Sequence, residues 1–188
     1  MFPRLPAVVG VLAVIVLAAC TGPAESGPGP SGAPTSVGTP SPSPSRGAKQ
    51  AQEAIEAYRA YEQMLGDTAR AGGYDPAAGD PIPESVVATT AGQERDYVNG
   101  SNQQLNREGE RLAVGGSKIV RVVVASASAQ RVDLYTCVDR SSVRYRGKDG
   151  ERPAPEAYLE KWPTLTLDRE EPAGWKVFTM RSRGAKSC

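Results

Sequence analysis

The sequence predicts an α+β domain with three N-terminal helices packed on one face of a curved antiparallel sheet. Two observations carry this. Residues 48–108 hold apolar side chains at helical spacing, whereas beyond Gly115-Gly116 short runs rich in Val, Ile, Leu and Tyr alternate with turn residues. Helices therefore precede consecutive strands, the order of an α+β architecture.

The first helix, 48–68, places Ala51, Ala54, Ile55, Tyr58, Tyr61 and Leu65 on one face. A loop follows through Gly72-Gly73 and Asp75-Pro76, and a short helix at 83–89 presents Val86 and Val87. The third helix, 91–108, opens with Thr90 and Gln93 in capping-box spacing and stops at Gly109. Its apolar stripe of Tyr97, Val98 and Leu105 is thin, so it buries only one edge. Strands are expected at 118–127 and 130–139 around a turn at 126–129, and again at 141–146 before a turn at 148–150. Pro153 and Pro155 break the chain ahead of a final hairpin, 159–169 and 175–182. Leu165 and Leu167 share one of its faces, as do Trp175 and Val177.

Residues 1–19 read as an export signal: one positive charge at Arg4, an apolar run from Ala7 to Ala19, then small residues before Cys20. The run makes a helix of only about 20 Å, short of the roughly 30 Å a membrane span needs. Leu17-Ala18-Ala19-Cys20 resembles the bacterial lipobox, which implies a thioether-linked lipid on Cys20, cleavage before it and acylation of the new amino terminus. The expected location is the extracytoplasmic face of the cell membrane, with the bilayer as partner through that lipid. From residue 20 to 47 the chain is nearly all Gly, Pro, Ser, Thr and Ala, a disordered tether by composition. The folded domain is then 48–188, large enough for a core of its own.

With Cys20 consumed by the lipid, Cys137 and Cys188 remain as an even pair, which usually bridges in an oxidising compartment. The alternatives are a reactive thiol and a metal site; two cysteines in a chain without histidine make a poor zinc site, so no metal or cofactor is expected. Twenty-two basic residues balance 21 acidic ones, interspersed, and no basic stripe suggests nucleic acid. Arg140, Arg144, Arg146 and Lys148 are read as the solvated edge of a strand and its turn.

The order of elements, with AIEAYRAYEQML in the first helix, Cys137-Val138-Asp139 ending a strand, Gly174-Trp175-Lys176-Val177 in the last hairpin and a terminal Cys188, resembles the nuclear transport factor 2-like (SnoaL-like) superfamily. More closely, it resembles exported lipoproteins of that type from high-GC Gram-positive bacteria. The resemblance covers about residues 49–188. It implies a cone-shaped, cystatin-like fold whose sheet wraps the first helix and leaves a pocket at the wide end, and it supports the Cys137–Cys188 pairing. The long Pro-rich stretch at 146–159 departs from the pattern and alters the expected pocket mouth.

Enzymes of that superfamily use an Asp, His or Tyr inside the cone, and this chain has no histidine. Asp133, Asp139 and Tyr135 are the catalytic candidates, with Tyr58 and Tyr61 as further donors; Asp133, Tyr135 and Cys137 share a strand face. The plainer expectation makes the tyrosines core and the aspartates solvated or turn-capping. Tyr58, Tyr61, Trp162 and Trp175 are the candidate pocket residues. Three functions are compatible: a non-catalytic module of the cell envelope binding a small apolar ligand or an envelope protein, a cofactor-independent isomerase or dehydratase with an Asp base and Tyr donor, and a self-associating spacer that forms a homodimer through its sheet.

Overall fold

The computed structural model describes residues 46–188. The export signal, Cys20 and most of the tether lie outside them. The described residues form an α+β fold with three α-helices: α1 (Arg46–Ala71), α2 (Glu84–Thr89) and α3 (Gly92–Glu108). A single 3-10 turn, Pro76–Ala78, sits between α1 and α2. Seven strands follow: β1 (Arg111–Val114), β2 (Lys118–Ala127), β3 (Arg131–Asp139), β4 (Arg144–Gly147), β5 (Gly150–Pro153), β6 (Tyr158–Asp168) and β7 (Gly174–Ala185). Among the described residues no helix is long and apolar enough to cross a membrane.

The strands form two antiparallel sheets rather than the single curved one expected. The larger runs β2-β3-β6-β7 and the smaller β1-β4-β5. The split follows from the chain after Asp139. Its carboxylate accepts the Ser141 amide, and the Val143 amide bonds back to the Arg140 carbonyl, so the backbone turns away from β3. Strand β4 then pairs with β1 on one side and with β5 on the other. Neither β1 nor β5 was expected; each is four residues long, and Pro153 ends β5 where it was taken to break the chain.

Helix α1 lies on the inner face of the large sheet. Its buried side chains Ala54, Tyr58, Tyr61 and Met64 meet Val132, Leu134, Leu165, Trp175 and Val177. Further along, Ala69 joins Leu112, Val143 and Ala154 in a second cluster beside the small sheet. The helix stops at Gly72-Gly73, both with positive φ. Gly73 is required by space as well: a Cβ there would sit 2.1 Å from the Asn102 carbonyl oxygen of α3. The close approach sets where α3 lies against α1.

Helix α3 departs from its expected start. Thr90 does not cap it; the Thr90 hydroxyl donates to the Val86 carbonyl at the end of α2, 2.6 Å away, and the capping position falls to Ala91. Thr90 is fully buried, and the Ala91 amide bonds the Val177 carbonyl of β7, so this segment is held by the sheet instead of by a side-chain cap. The expected stripe also shifts. Tyr97 is exposed, and the buried edge is Glu94, Val98 and Asn102 at spacings of one turn. Gly109 does end the helix in the left-handed conformation.

Cys137 and Cys188 form a disulfide across a separation of 51 residues. Because β6 lies between β3 and β7, the bridge carries the C-terminal tail across the outer face of β6. Cys137 is fully buried there, although its neighbour Thr136 points to the opposite, helix-covered face. A loop of about 50 residues predicts about 4 kcal/mol of stabilisation. We expect the double variant Cys137→Ser, Cys188→Ser to lose stability on that order in urea unfolding, with β7 amides nearest the C-terminus exchanging first.

Candidate functional site

One turn along α1 separates Tyr58 from Glu62, and Tyr61 lies beside them, so the helix presents two phenols and a carboxylate to the sheet together. All three are buried. Glu62 Oε1 accepts from the Tyr58 hydroxyl at 2.7 Å and from Lys161 Nζ at 2.6 Å. Strand alternation explains the lysine: Lys161 and Leu165 of β6 both face α1, so the ammonium enters the core from the sheet. The Tyr58 hydroxyl lies 3.0 Å from Thr136 Oγ1 on β3, which closes the network against the sheet. From α3, Glu94 Oε1 accepts from the Tyr61 hydroxyl at 2.6 Å. Asn102, two turns further on, donates its amide to the Val98 carbonyl.

Part of this network forms the floor of a cleft of about 490 Å³, within the range of small-molecule sites. Tyr61, Glu62, Glu94, Asn102 and Lys161 line its polar end, while Leu65, Leu105, Leu112, Val143 and Met180 line its walls. The small sheet supplies the outer rim, where Arg152 pairs with Glu110 and Arg140 donates to the Tyr145 hydroxyl. Two buried acceptors in this lining, Glu62 Oε2 and Asn102 Oδ1, have no hydrogen-bond partner.

Burial dominates the electrostatics of the floor. Loss of solvent pushes the Glu94 carboxyl above its ordinary value; the Tyr61 hydroxyl and the Lys161 charge oppose that shift, and Glu62 adds to it. The same desolvation, reinforced by Glu62 and Glu94, drives Tyr58 and Tyr61 far above the usual phenol range, so both are hydrogen-bond donors at any physiological pH. Among the described residues no three His, Cys, Asp or Glu side chains are grouped to hold a metal.

The sequence candidates separate onto two faces of the large sheet. Tyr61 lines the cleft, whereas Tyr58 and Trp175 do not: Tyr58 is buried against Glu62 and Thr136, and Trp175 is buried in the core with its indole N–H 3.3 Å from Glu53. Trp162 does not line the cleft, contrary to expectation. Since Lys161 faces inward, Trp162 faces outward, where its ring lies 5.6 Å from that of Tyr135 and under Arg183. Tyr135 donates to Glu160 and accepts from Arg121 on the same outer face. Asp133 is there too, held by Arg131, Thr164 and Ser126, with Arg131 foremost in lowering its carboxyl to about 2. Asp139 accepts the Ser141 amide, which lowers its carboxyl as well. Neither aspartate shares a site with the buried tyrosines. The residues that do, Glu62, Glu94, Asn102 and Lys161, were not singled out from the sequence. One signal marked Glu62: it is a charge set between Tyr58 and Leu65 on the apolar stripe of the first helix.

Two outcomes test this floor. Lys161→Met leaves Glu62 buried without its cation and is expected to cost about 3–5 kcal/mol, of which the double variant Glu62→Leu, Lys161→Met recovers much in chemical denaturation. Glu94 binds its proton more tightly folded than unfolded, so its contribution to stability is complete below pH 4.5 and is lost as pH rises through the higher folded value. The stability of the native chain should therefore fall relative to Glu94→Gln as pH rises from 4.5, measured by urea midpoints across a pH series.

No protein-family model matches the chain, and no curated protein matches it. Among solved structures, the chain is similar to the crystal structure of the intermembrane space region of the chloroplast protein ARC6, with a TM-score of 0.47 and 11% identity, covering 72% of this chain and 97% of that one. It is also similar to a de novo β-sheet design protein solved by solution NMR, with a TM-score of 0.35 and 13% identity, covering 72% of this chain and 92% of that one.

Proposed function

We propose that the chain is a membrane-anchored lipoprotein of the extracytoplasmic face, held by a lipid on Cys20, whose nuclear transport factor 2-like domain is a non-catalytic ligand-binding or accessory module of the cell envelope. The observation that carries the binding role is the cleft: apolar walls lead to a floor of buried, largely paired polar groups, the composition of a site that fixes a ligand's orientation. The expected apolar ligand gives way to one with a polar end, because the floor contains Glu62, Glu94 and Lys161. The Cys137–Cys188 bridge suits an oxidising compartment, and the lipobox-like Leu17-Ala18-Ala19-Cys20 suits export with an anchor.

A second reading, a cofactor-independent isomerase or dehydratase, is favoured by one observation. Glu94 is a carboxyl with a raised pKa, hydrogen-bonded to Tyr61 in a cleft, which is how a general base and a donor are arranged. Its base would then be Glu94, not Asp133 or Asp139.

Expression of the chain in an exporting bacterial host tests both. The intact protein should fractionate with membranes and Cys20→Ala should not; a Cys20→Ala chain that stays membrane-bound contradicts the lipid anchor. Native mass spectrometry should show added mass that is lost on denaturation, and repeated recovery of bare protein counts against a ligand role. Released ligand that has taken up carbon-bound deuterium in D₂O would favour the enzyme over the binding module.

A further inference from the structure

We propose that the cleft receives a small amphiphilic organic cation, an ammonium group on an apolar body, with the ammonium seated at the floor. This rests on the cleft being a ligand site, as proposed above, and specifies the chemistry of what it takes. The floor has spare acceptors. Glu62 Oε2 and Asn102 Oδ1 are buried and without a hydrogen-bond partner, and both residues line the cleft. A buried acceptor left unpaired carries a desolvation penalty that an incoming N–H removes. An ammonium brings three donors and no acceptor, whereas a carboxylate or phosphate brings only acceptors to a floor that already has two too many.

The charge balance points the same way. Glu62, Glu94, Glu108 and Glu110 line the cleft against Lys161, Arg140 and Arg152. The cations are engaged: Lys161 with Glu62, Arg152 with Glu110, and Arg140 with the Tyr145 hydroxyl. Among the described residues two of these acids lack an ion pair: Glu108, exposed and accepting from Gln104, and Glu94, buried and accepting from the Tyr61 hydroxyl. The buried surplus acid is therefore Glu94, joined through Tyr61 to the face of α1 that presents Glu62, where an ammonium would offset the desolvation of its carboxylate. Above the floor, Leu65, Leu105, Leu112 and Met180 offer an apolar wall suited to a hydrocarbon body and unsuited to a fully hydrated polyol.

The test compares three probes of equal length, hexylammonium, hexan-1-ol and hexanoate, titrated into the full chain with its Leu and Met methyls labelled for NMR. Hexylammonium is expected to shift the methyls of Leu65, Leu105, Leu112 and Met180 saturably, and to bind at least about tenfold more tightly than the other two. Glu94→Gln, which keeps an acceptor for Tyr61 but removes the charge, should weaken hexylammonium about tenfold and leave hexan-1-ol unchanged. Leu105→Trp, which fills the cleft from its wall, should abolish the shifts for every probe. Equal or tighter binding of hexanoate or hexan-1-ol at those methyls overturns the cation while the cleft remains a ligand site. Unaltered hexylammonium binding by Glu94→Gln overturns it as well. Silence of the cleft methyls with all three probes removes the cation and the ligand-site reading together.

Discussion

The ammonium of Lys161 leaves β6 on the side facing α1 and meets Glu62 where both are largely withdrawn from water, each side chain less than one-tenth exposed. Removing two such charges from water is costly, and only close geometry with further hydrogen bonds offsets it. The surroundings supply those bonds. Tyr58 donates to the same carboxylate oxygen and contacts Thr136, so α1 is tied to both of the paired strands β3 and β6. This network fixes the rotation of α1. Arg59 and Gln63, the next residues along, are exposed, and a rotation bringing either one inward would break the Glu62 contacts and bury a group with nothing to meet it. Apolar packing alone tolerates such slippage; a buried ion pair does not. The floor of the cleft is thus also the element that sets the register of the helix over the sheet.

What the sequence made legible follows from the range over which each signal acts. Helical and strand periods are local, and they located the three helices and the longer strands to within a few residues, including the Gly109 stop and the Leu165–Trp175–Val177 core. The short strands β1 and β5 escaped because four residues cannot show a period, and their pairing partner β4 is remote from one of them in sequence. Thr90 had the spacing of a cap, but its hydroxyl found the Val86 carbonyl first, and tertiary contact with β7 replaced the cap. The site was less legible still. Asp133 and Tyr135 were singled out for their chemistry along one strand, while the groups that converge come from α1, α3 and β6. Only the fold brings Glu94 to Tyr61 across 33 positions, or Lys161 to Glu62 across 99. Glu62 occupies a buried stripe of α1 otherwise used mainly by apolar residues, and that misfit is the trace a sequence can carry.

The two faces of the large sheet show how environment, more than residue type, assigns roles. Asp133 and Glu94 carry the same acid. Outside, Arg131 and two hydroxyls stabilise the charged form of Asp133 and hold its proton affinity down, so it is a weak base. Inside, desolvation penalises the charged form of Glu94, raises its proton affinity and strengthens its attraction to any cation that can reach it. The outer aromatics are likewise committed: Tyr135 and Trp162 lie against each other with Arg121 and Arg183 over their rings.

The disulfide sharpens this asymmetry. By drawing Cys188 back over β6 to Cys137, it closes the outer face at the point where β3 has Thr136 on the other side, in contact with Tyr58. One residue step along β3 therefore separates the covalent clamp from the polar floor. A sheet held at that position cannot splay β3 from β7 without straining the bridge, and β6, which carries Lys161, is confined between them. The bridge thus limits, from outside the core, how far β6 and Lys161 can move within the sheet, while Tyr58 and Lys161 hold Glu62 of α1. With β6 so confined, Lys161 holds Glu62 through Oε1 and leaves Oε2 without a donor, which is the condition under which a cleft can store affinity for a ligand that supplies one.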